Sequence, residues 1–226
     1  MSAYEGFRME SDVKAGGLNQ ADLTSDDMYY TKAEMKSMIQ NYRKLGLDII
    51  PEFDTPAHSL SFTKVRPDLR FGTTGRQNDH FNLNTKYDES LAFVESIWDE
   101  YIKGDDPVFD QDTIVNIGTD EYDGQYTEQF RKFTDDLLAY IQDNGNTVRL
   151  WGSLTARSGS TSVRSEGVQM NIWNDGWANP KAMYQQGYDL IDMNDGRVYI
   201  VPAAGYYADY LSRQSMYNYD PATRMG

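Results

Sequence analysis

The chain has 226 residues, and its 21 Lys and Arg against 35 Asp and Glu give a formal net charge of −14. A hydrophobic content of 39% and an aromatic content of 13% exclude a disordered chain, and the acidic balance argues against a nucleic-acid partner. The absence of cysteine excludes disulfides, thiolate catalysis and cysteine zinc sites, and no apolar run reaches the roughly 20 residues of a membrane-spanning segment.

The first predicted helix follows Tyr30. Thr31 and Glu34 form a T-x-x-E capping box at its start, and Gly46 ends it. Apolar residues at helical spacing predict its inward face: Met35, Met38, Ile39, Tyr42 and Leu45. The residues that follow, 47–54, are predicted to form a short buried strand leading into a loop, which indicates an α/β unit.

This helix–strand pattern repeats along the chain. Further helices are predicted over 87–103 and 127–144, and a short one runs from the N-cap Asn179 to Gln186. Apolar spacing predicts the inward faces of the two long helices: Leu91, Val94, Trp98 and Tyr101 on the first, and Phe130, Phe133, Leu137 and Ile141 on the second. The remaining buried strands are predicted at residues 113–118, 147–151, 168–173 and 188–192. The stretches predicted as long loops are residues 11–27 and 67–84. About five strands separated by helices or helix-length loops predict a parallel α/β fold.

The residues after the predicted strands favour a TIM (β/α)8 barrel over a doubly wound sheet. Polar or aromatic side chains follow nearly every strand, and in a barrel these carboxyl ends converge on one mouth. A doubly wound sheet concentrates its site at a switch point, usually with a glycine-rich phosphate loop, and no G-x-G-x-x-G or P-loop motif is present. The strand-end residues are Asp54, His58, Asp120, Glu121, Trp151, Trp173, Asn174, Asp175, Asp192 and Asn194.

The strongest candidate for chemistry is the carboxylate pair Asp120-Glu121, just after the strand that ends at Gly118. Two carboxyl groups can act as acid and stabiliser when their environments separate their pKa values. Adjacent residues rarely straddle a sugar, so the pair fits a mechanism in which the substrate carries its own nucleophile. The alternative is an ordinary surface pair of an acidic chain, which the position after a buried strand disfavours.

The other candidates have structural alternatives. Trp151 and Trp173 end successive strands and would wall a pocket against a sugar or an acetamido methyl group, unless they pack in the barrel core. Asp54 and His58 belong to the segment D-T-P-A-H, where a lone histidine can equally be structural. No metal motif and no G-x-S-x-G elbow is present, so we expect neither a metal site nor Ser-His-Asp catalysis.

Four segments, in order, resemble glycoside hydrolase family 20, the β-N-acetylhexosaminidases. Residues 116–121, N-I-G-T-D-E, resemble its H-x-G-G-D-E signature, and residues 50–58, I-P-E-F-D-T-P-A-H, are similar to its I-P-E-x-D-x-P-G-H segment. Residues 5–10, E-G-F-R-M-E, resemble the piece after its second barrel strand. The stretch from Asn194 to Tyr207 resembles the late region of Gram-positive surface members.

The resemblance implies a retaining enzyme that removes terminal β-linked GlcNAc or GalNAc without a cofactor. It implies that Glu121 is the general acid/base and that Asp120 holds the 2-acetamido group, whose carbonyl oxygen attacks the anomeric carbon to give an oxazolinium ion. It further implies that Tyr199 hydrogen-bonds that oxygen, that Trp151 and Trp173 wall the acetamido pocket, and that Asp54 and His58 support the site. The partner is then a glycan, and an extracellular or cell-surface location follows from the relatives, although residues 1–10 lack a signal peptide.

The chain also departs from the family pattern. Asn116 and Thr119 stand where the signature has His and a second Gly, and Ala57 stands where a Gly is usual. From its length we expect residues 1–226 to form a partial catalytic domain, from about the second to the seventh barrel strand. The alternatives are a lacto-N-biosidase of the same family, which releases a disaccharide, and a non-catalytic carbohydrate-binding remnant. A chitinase-like hydrolase is disfavoured because no D-x-x-D-x-D-x-E run is present.

Overall fold

A computed structural model describes residues 6–14, 22–72 and 78–224. Its centre is one parallel sheet with the strand order β1-β2-β3-β4-β5. Parallel strands in sequential order are the arrangement of successive strands in a (β/α)8 barrel. The strands are β1 (Glu52–Thr55), β2 (Val115–Gly118), β3 (Val148–Trp151), β4 (Val168–Ile172) and β5 (Asp189–Asp192).

Helices connect most of these strands, but the described residues between β3 and β4 form no helix. The longest are α3 (Tyr87–Ile102) and α4 (Thr127–Asp143), and none of the helices in the described residues is long and apolar enough to cross a membrane. The remaining helices are α1 (Lys32–Arg43), α2 (Leu60–Thr63), α5 (Pro180–Gln185) and α6 (Arg213–Tyr217). The bounds predicted for α1, α3, α4 and α5 agree with these to within two residues at most ends, whereas α2 and α6 were not predicted.

The predicted inward faces of α3 and α4 are confirmed by burial. On α3, Val94, Trp98 and Tyr101 are at most 1% exposed, and they pack with the inner residues of α4 in one hydrophobic core. Because helices of this kind cover one face of the sheet, they leave its carboxyl-end edge open for a site. The α4 residues fully buried in this core are Phe130, Phe133, Leu137 and Ile141.

The structure corrects part of the prediction for α1. The capping box between Thr31 and Glu34 is confirmed, but Tyr42 is 42% and Leu45 73% exposed, so these two residues do not lie on a buried face. Leu45 lies beyond Arg43, where α1 ends. The strand that follows α1 is the edge strand of the described sheet, so no further described strand lies beyond it to cover that flank.

The strand predicted over 47–54 is shorter than expected. It begins only at Glu52, and Leu47 is 55% exposed. The Asn116 amide donates to the carbonyl of Pro51 at 2.8 Å, but a proline has no amide hydrogen with which to extend the ladder backwards. The sheet register therefore starts with Glu52 beside Asn116.

The two predicted long loops are only partly described. Residues 15–21 and 73–77, as well as Glu5 of the motif at 5–10, lie outside the described residues. Within the second loop, Pro67–Leu69 forms a 3-10 turn, and Arg70 pairs with Phe81 in an antiparallel bridge. The described part of this loop is therefore packed structure, with Leu69 and Phe81 fully buried.

Candidate active site

One cavity collects the side chains that the sequence singled out. It has a volume of about 350 Å³ and opens at the carboxyl ends of the strands, the end at which barrel enzymes hold their chemistry. Two further residues line it, Glu52 and Tyr207, to which the sequence analysis assigns no role. The predicted residues that line the cavity are Asp54, His58, Asp120, Glu121, Trp151, Trp173 and Tyr199.

The other strand-end residues do not line this cavity but connect the loops beside it. The Asn174 side chain donates to Asp195 at 2.8 Å, and the Asn194 side chain donates to Asp175 at 3.0 Å. These two hydrogen bonds tie the segment after β4 to the segment after β5. They therefore help to hold the loop that carries Tyr199 and Tyr207 over the sheet.

The backbone after β2 turns both carboxylates toward the cavity. Gly118, Thr119 and Glu121 have φ of +74°, +69° and +46°, in the left-handed region that non-glycine residues rarely adopt. Neighbouring side chains on an extended chain point to opposite sides. This chain is not extended there, so Asp120 and Glu121 both reach the same cavity.

Gly118 is required by a close contact as well as by its φ. A Cβ atom at this position would lie 1.9 Å from Oδ1 of Asp54 and 2.5 Å from its Cα atom. No side-chain rotation relieves a clash with a neighbouring Cα atom, so the strand itself would have to move. The glycine thus lets β1 and β2 bring Asp54 next to the turn that carries Asp120.

We expect Gly118→Ala to lower the free energy of unfolding by about 3 kcal/mol, from the clash and the backbone strain together. Gly46→Ala is the matched control, because Gly46 has φ of +76° but nothing within 4 Å of its added Cβ atom. That control should lose only about 1 kcal/mol, the cost of a left-handed backbone at a non-glycine residue. Urea unfolding of both variants measures the difference, and equal losses would show that the contact with Asp54 is not the cause.

His58 joins the two carboxylates. Its Nε2 atom lies 3.3 Å from Oε2 of Glu121 and 3.9 Å from Oδ1 of Asp120. The hydrogen bond to Glu121 raises the pKa of His58 above its ordinary value, burial opposes the rise, and the negative charge of Asp120 adds to it. A carboxyl group in hydrogen-bond contact with a histidine at the mouth of a cavity is a pair that can pass a proton to or from a bound substrate.

This pair predicts a pH-dependent contribution to stability. Because the pKa of His58 is raised on folding, the charged imidazole stabilises the fold fully below the unfolded-state pKa of about 6.5, and the contribution is lost as pH rises through the higher folded-state pKa. We expect wild type to exceed His58→Gln by about 1 kcal/mol at about pH 5.5 and by less at about pH 9. Thermal unfolding of both proteins across this range tests it; a difference that grows with pH would contradict it.

Asp54 and Asp120 form a second, more buried pair. Burial raises the pKa of Asp54 well above its ordinary range, and the charges of Asp120 and Glu52 raise it further. Burial also raises the pKa of Asp120, while His58 lowers it. In the part of the chain that the structure describes, the buried Oδ1 atoms of both aspartates lack a hydrogen-bond partner. One proton held between the two carboxyl groups relieves their repulsion and leaves Asp120 the better ionised of the pair.

The same residues bear on the expectation that no metal is bound. Asp54, His58 and Asp120 offer ligand atoms that all lie within 4.8 Å of one another, a spacing at which side chains can hold a metal ion. Exposed acidic groups are common without one. The absence of a metal and of a cofactor therefore stays a prediction from the sequence.

Two tryptophans wall the cavity. Trp173 is 7% exposed, donates from its indole to the Gly152 carbonyl at 3.1 Å and stacks on Trp177, with 5.7 Å between ring centroids. Trp151 donates from Nε1 to Oε2 of Glu52 at 3.0 Å. The two readings of Trp173, core packing and pocket wall, are therefore compatible, because one ring does both.

Glu52 and Asn116 hold the Trp151 wall and the turn after β2 in one network. The same Oε2 atom of Glu52 accepts from the Asn116 side chain at 2.6 Å, and the carbonyl oxygen of that side chain accepts from the Gly118 amide at 3.0 Å. Desolvation in the cavity raises the pKa of Glu52, and the Trp151 hydrogen bond opposes the rise. Alternation along β1 could have identified Glu52, because it lies on the same strand face as Asp54.

Two tyrosines close the cavity from the loop after β5. The rings of Tyr199 and Tyr207 meet edge to face, with 5.4 Å between centroids. Burial raises the pKa of Tyr199, and negative charges that include those of Asp120 and Glu52 add to it. Tyr199 therefore stays protonated at neutral pH and can donate a hydrogen bond into the cavity.

The fold and the cavity define a barrel protein of the glycoside hydrolase class, with paired carboxylates and aromatic walls at the carboxyl ends of its strands. The family model for glycosyl hydrolase family 20, catalytic domain, matches residues 2–130. The chain belongs to this family.

Individual relatives agree with that membership. The chain is 23% identical to the lacto-N-biosidase of Bifidobacterium bifidum over 86% of this chain and 20% of that protein. It is 31% identical to human beta-hexosaminidase subunit beta over 47% of this chain and 19% of that protein. The chain thus spans about a fifth of the length of these two relatives.

Solved structures show the same fold. The GH20 β-N-acetylhexosaminidase of Streptomyces coelicolor A3(2) superposes with a TM-score of 0.69 at 20% identity, over 97% of this chain and 47% of that one. A catalytic module of the pneumococcal exo-β-D-N-acetylglucosaminidase gives 0.70 at 18% identity, over 87% and 56%. The five strands therefore belong to a (β/α)8 barrel, of which the described residues form one sector, and the barrel prediction is confirmed.

Proposed function

We propose that this chain carries the active site of a retaining, exo-acting β-N-acetylhexosaminidase that removes terminal β-linked GlcNAc or GalNAc from glycans. The observation that carries the proposal is the shared cavity of Asp120 and Glu121, two carboxyl groups in different surroundings. Asp120 lies against the buried Asp54, whereas Glu121 lies beside His58. Different surroundings for neighbouring carboxyl groups are what separate acid and stabiliser roles.

In the proposed first step the substrate supplies the nucleophile. The acetamido carbonyl oxygen attacks the anomeric carbon, the glycosidic bond breaks, and Glu121 gives its proton to the departing oxygen. Asp120 accepts the acetamido N–H and stabilises the positive charge of the oxazolinium ion, while Tyr199 donates to the attacking oxygen. Water then opens the oxazolinium ring as Glu121 takes back a proton, which returns the sugar with its configuration retained.

The walls of the cavity suit this chemistry. Trp151 and Trp173 would enclose the acetamido methyl group and hold the carbonyl oxygen near the anomeric carbon. Glu52 fixes the Trp151 indole through the 3.0 Å hydrogen bond, so the wall is oriented before substrate arrives. His58 supports the proton transfer of Glu121. The extracellular or cell-surface location remains a prediction from the family resemblance.

The second candidate function is that of a lacto-N-biosidase, which would release a disaccharide by the same chemistry. It is favoured by the similarity to the Bifidobacterium bifidum lacto-N-biosidase over 86% of this chain. The difference between the two functions lies in the room beside the first sugar. A non-catalytic carbohydrate-binding protein is the third reading and would keep the tryptophans without turnover.

The deciding experiment is release of p-nitrophenol from its β-GlcNAc glycoside and from its β-lacto-N-bioside, with and without a GlcNAc thiazoline that mimics the oxazolinium ion. Turnover of the first substrate, blocked by the thiazoline, supports the hexosaminidase. Turnover of the disaccharide glycoside alone supports the second function. Thiazoline binding without turnover of either substrate supports the binding protein.

A further inference from the structure

Arg157, in the loop after β3, does not line the cavity but joins two of the segments that form it. Its Nε atom donates to the carbonyl oxygen of Tyr122, the residue after Glu121, at 2.6 Å. Its guanidinium group lies over the ring of Trp177, 4.6 Å from the ring centroid, and Trp177 in turn stacks on Trp173. One side chain therefore contacts both the turn that carries the proposed acid and the ring behind the proposed acetamido wall.

The surroundings of Arg157 hold it in this position. Its amide donates to the Ser153 carbonyl at 2.8 Å, and its own carbonyl accepts from the Arg131 side chain of α4 at 3.0 Å. Burial lowers the pKa of Arg157, and the negative charges of Asp123 and Glu121 oppose that fall. The guanidinium group stays charged at neutral pH, so it presents a positive charge to the turn after β2.

The turn after β2 depends on the contact between Arg157 and Tyr122. Tyr122 is fully buried, so its carbonyl oxygen needs a hydrogen-bond donor, and Arg157 supplies one. Glu121 has a φ of +46°, which a glutamate rarely adopts, so contacts around the turn must hold it in this conformation. Loss of the Arg157 donor therefore removes a constraint on the backbone that aims the Glu121 carboxyl group.

We propose that Arg157 is a positioning residue that fixes the placement of the general acid Glu121 relative to the acetamido wall at Trp173. The inference rests on the proposed function. In that mechanism the acetamido oxygen attacks the anomeric carbon while Glu121 protonates the departing oxygen, so both groups must be in place at the same moment. A guanidinium group suits this task, because its edge can donate to a carbonyl while its planar face stacks on an indole.

Kinetics of Arg157→Gln on two substrates tests the proposal. We expect kcat/KM to fall about 30-fold on chitobiose and only about threefold on the p-nitrophenyl β-GlcNAc glycoside, because only the first substrate needs the acid in place. GlcNAc thiazoline, which has no leaving group, should bind about threefold more weakly, because Trp177 loses the cation that lies over it. A residue that only stabilises the fold would lower both rates by the same factor.

Arg157→Lys separates the two contacts and is the milder change for folding. Lysine keeps a charged donor for the Tyr122 carbonyl but has no planar face for Trp177. This variant should therefore keep the wild-type ratio of the two rates and still bind the thiazoline about threefold more weakly. Wild-type thiazoline affinity in both Arg157 variants would overturn the contact with the acetamido wall, and the proposed link with it.

Arg164→Gln is the matched control, because Arg164 lies in the same loop but pairs with Asp135 of α4 at 3.0 Å. It should change neither the ratio of the two rates nor the thiazoline affinity. Equal losses on the two substrates in Arg157→Gln, or the same contrast in Arg164→Gln, would overturn the link and leave the proposed function intact. A wild-type chain that turns over neither substrate would overturn the proposed function, and the link with it.

Discussion

Glu121→Gln is expected to lower kcat/KM about a thousandfold for natural glycan substrates, whose leaving groups are poor. The glutamine side chain keeps the size of Glu121 and its proximity to His58 but has no proton to give to the departing oxygen. A nitrophenyl leaving group needs little protonation, so the loss on that substrate should be much smaller. Binding of sugar should change little, because the acid acts on the bond that breaks.

Steady-state kinetics on chitobiose and on the p-nitrophenyl glycoside measures this contrast. Asp123→Asn is the matched control: Asp123 lies two residues further along and accepts from the Gln125 amide at 2.8 Å, a bond that asparagine can replace. The control should retain the rates of wild type on both substrates. Equal losses on the two substrates in Glu121→Gln would remove Glu121 from the role of general acid.

The positions of Asp120, Trp151 and Trp173 could be predicted from the sequence because they come at or just after the ends of strands that the apolar pattern identifies, β2, β3 and β4. In a parallel sheet such ends lie at one edge, so strand order was enough to bring them together. The backbone conformation of the turn after β2 could not be predicted in this way, because threonine and glutamate rarely adopt the positive φ that Thr119 and Glu121 have. Tyr199 was predicted only from the family resemblance.

Three residues at the site, Glu52, Asn116 and Tyr207, were given no role from the sequence, each for a different reason. Glu52 was quoted within a motif, but its role depends on the register that sets it beside Asn116. Asn116 in turn stands where the family has a histidine, and the structure shows that its amide serves two partners at once, Glu52 and the Gly118 amide. Tyr207 lies in a loop whose path has no periodicity to predict it.

The predicted inward face of α1 is confirmed at Ile39 but wrong at Tyr42 and Leu45, for a reason of context. Helical spacing identifies a face that can be buried, but burial needs a neighbour, and α1 lies beside the edge of the described sheet. Its residues Tyr42 and Leu45 remain exposed for that reason, whereas the same spacing on α4 predicts a fully buried face. Helical spacing therefore predicted correctly that these segments are helices. It predicted which side chains are buried only where a neighbouring element covers the helix.

Asp120→Asn is expected to lower activity and raise stability at the same time. Asparagine cannot offer the acetamido N–H a charged acceptor or stabilise the oxazolinium ion, so kcat/KM on N-acetyl substrates should fall about 100- to 1,000-fold. The same change removes one of two buried carboxyl groups that repel each other. A purely structural role for Asp120 predicts the reverse, a loss of activity that follows a loss of stability.

The sign of the stability change follows from the raised pKa values of Asp54 and Asp120. A carboxyl group whose pKa rises on folding binds more protons in the folded state, so wild type loses stability as pH rises from about 4 through the raised pKa values. In Asp120→Asn the pKa of Asp54 is less raised and that loss is smaller. We expect the variant to exceed wild type by about 1 kcal/mol at neutral pH and to match it near pH 3.

Chemical denaturation at several pH values, paired with kinetics on the p-nitrophenyl β-GlcNAc glycoside, measures both effects on the same protein. A stability gain that appears only above about pH 4 would identify carboxylate repulsion as its cause, because the loss of the attraction between Asp120 and a charged His58 acts in the opposite direction. A variant less stable than wild type at neutral pH would contradict the repulsion between Asp54 and Asp120. Activity near that of wild type would contradict the substrate-assisted mechanism. A fall in activity together with a rise in stability would show that Asp120 is kept for its chemistry. A site that holds two buried carboxyl groups together lowers the stability of the fold, and activity requires that arrangement.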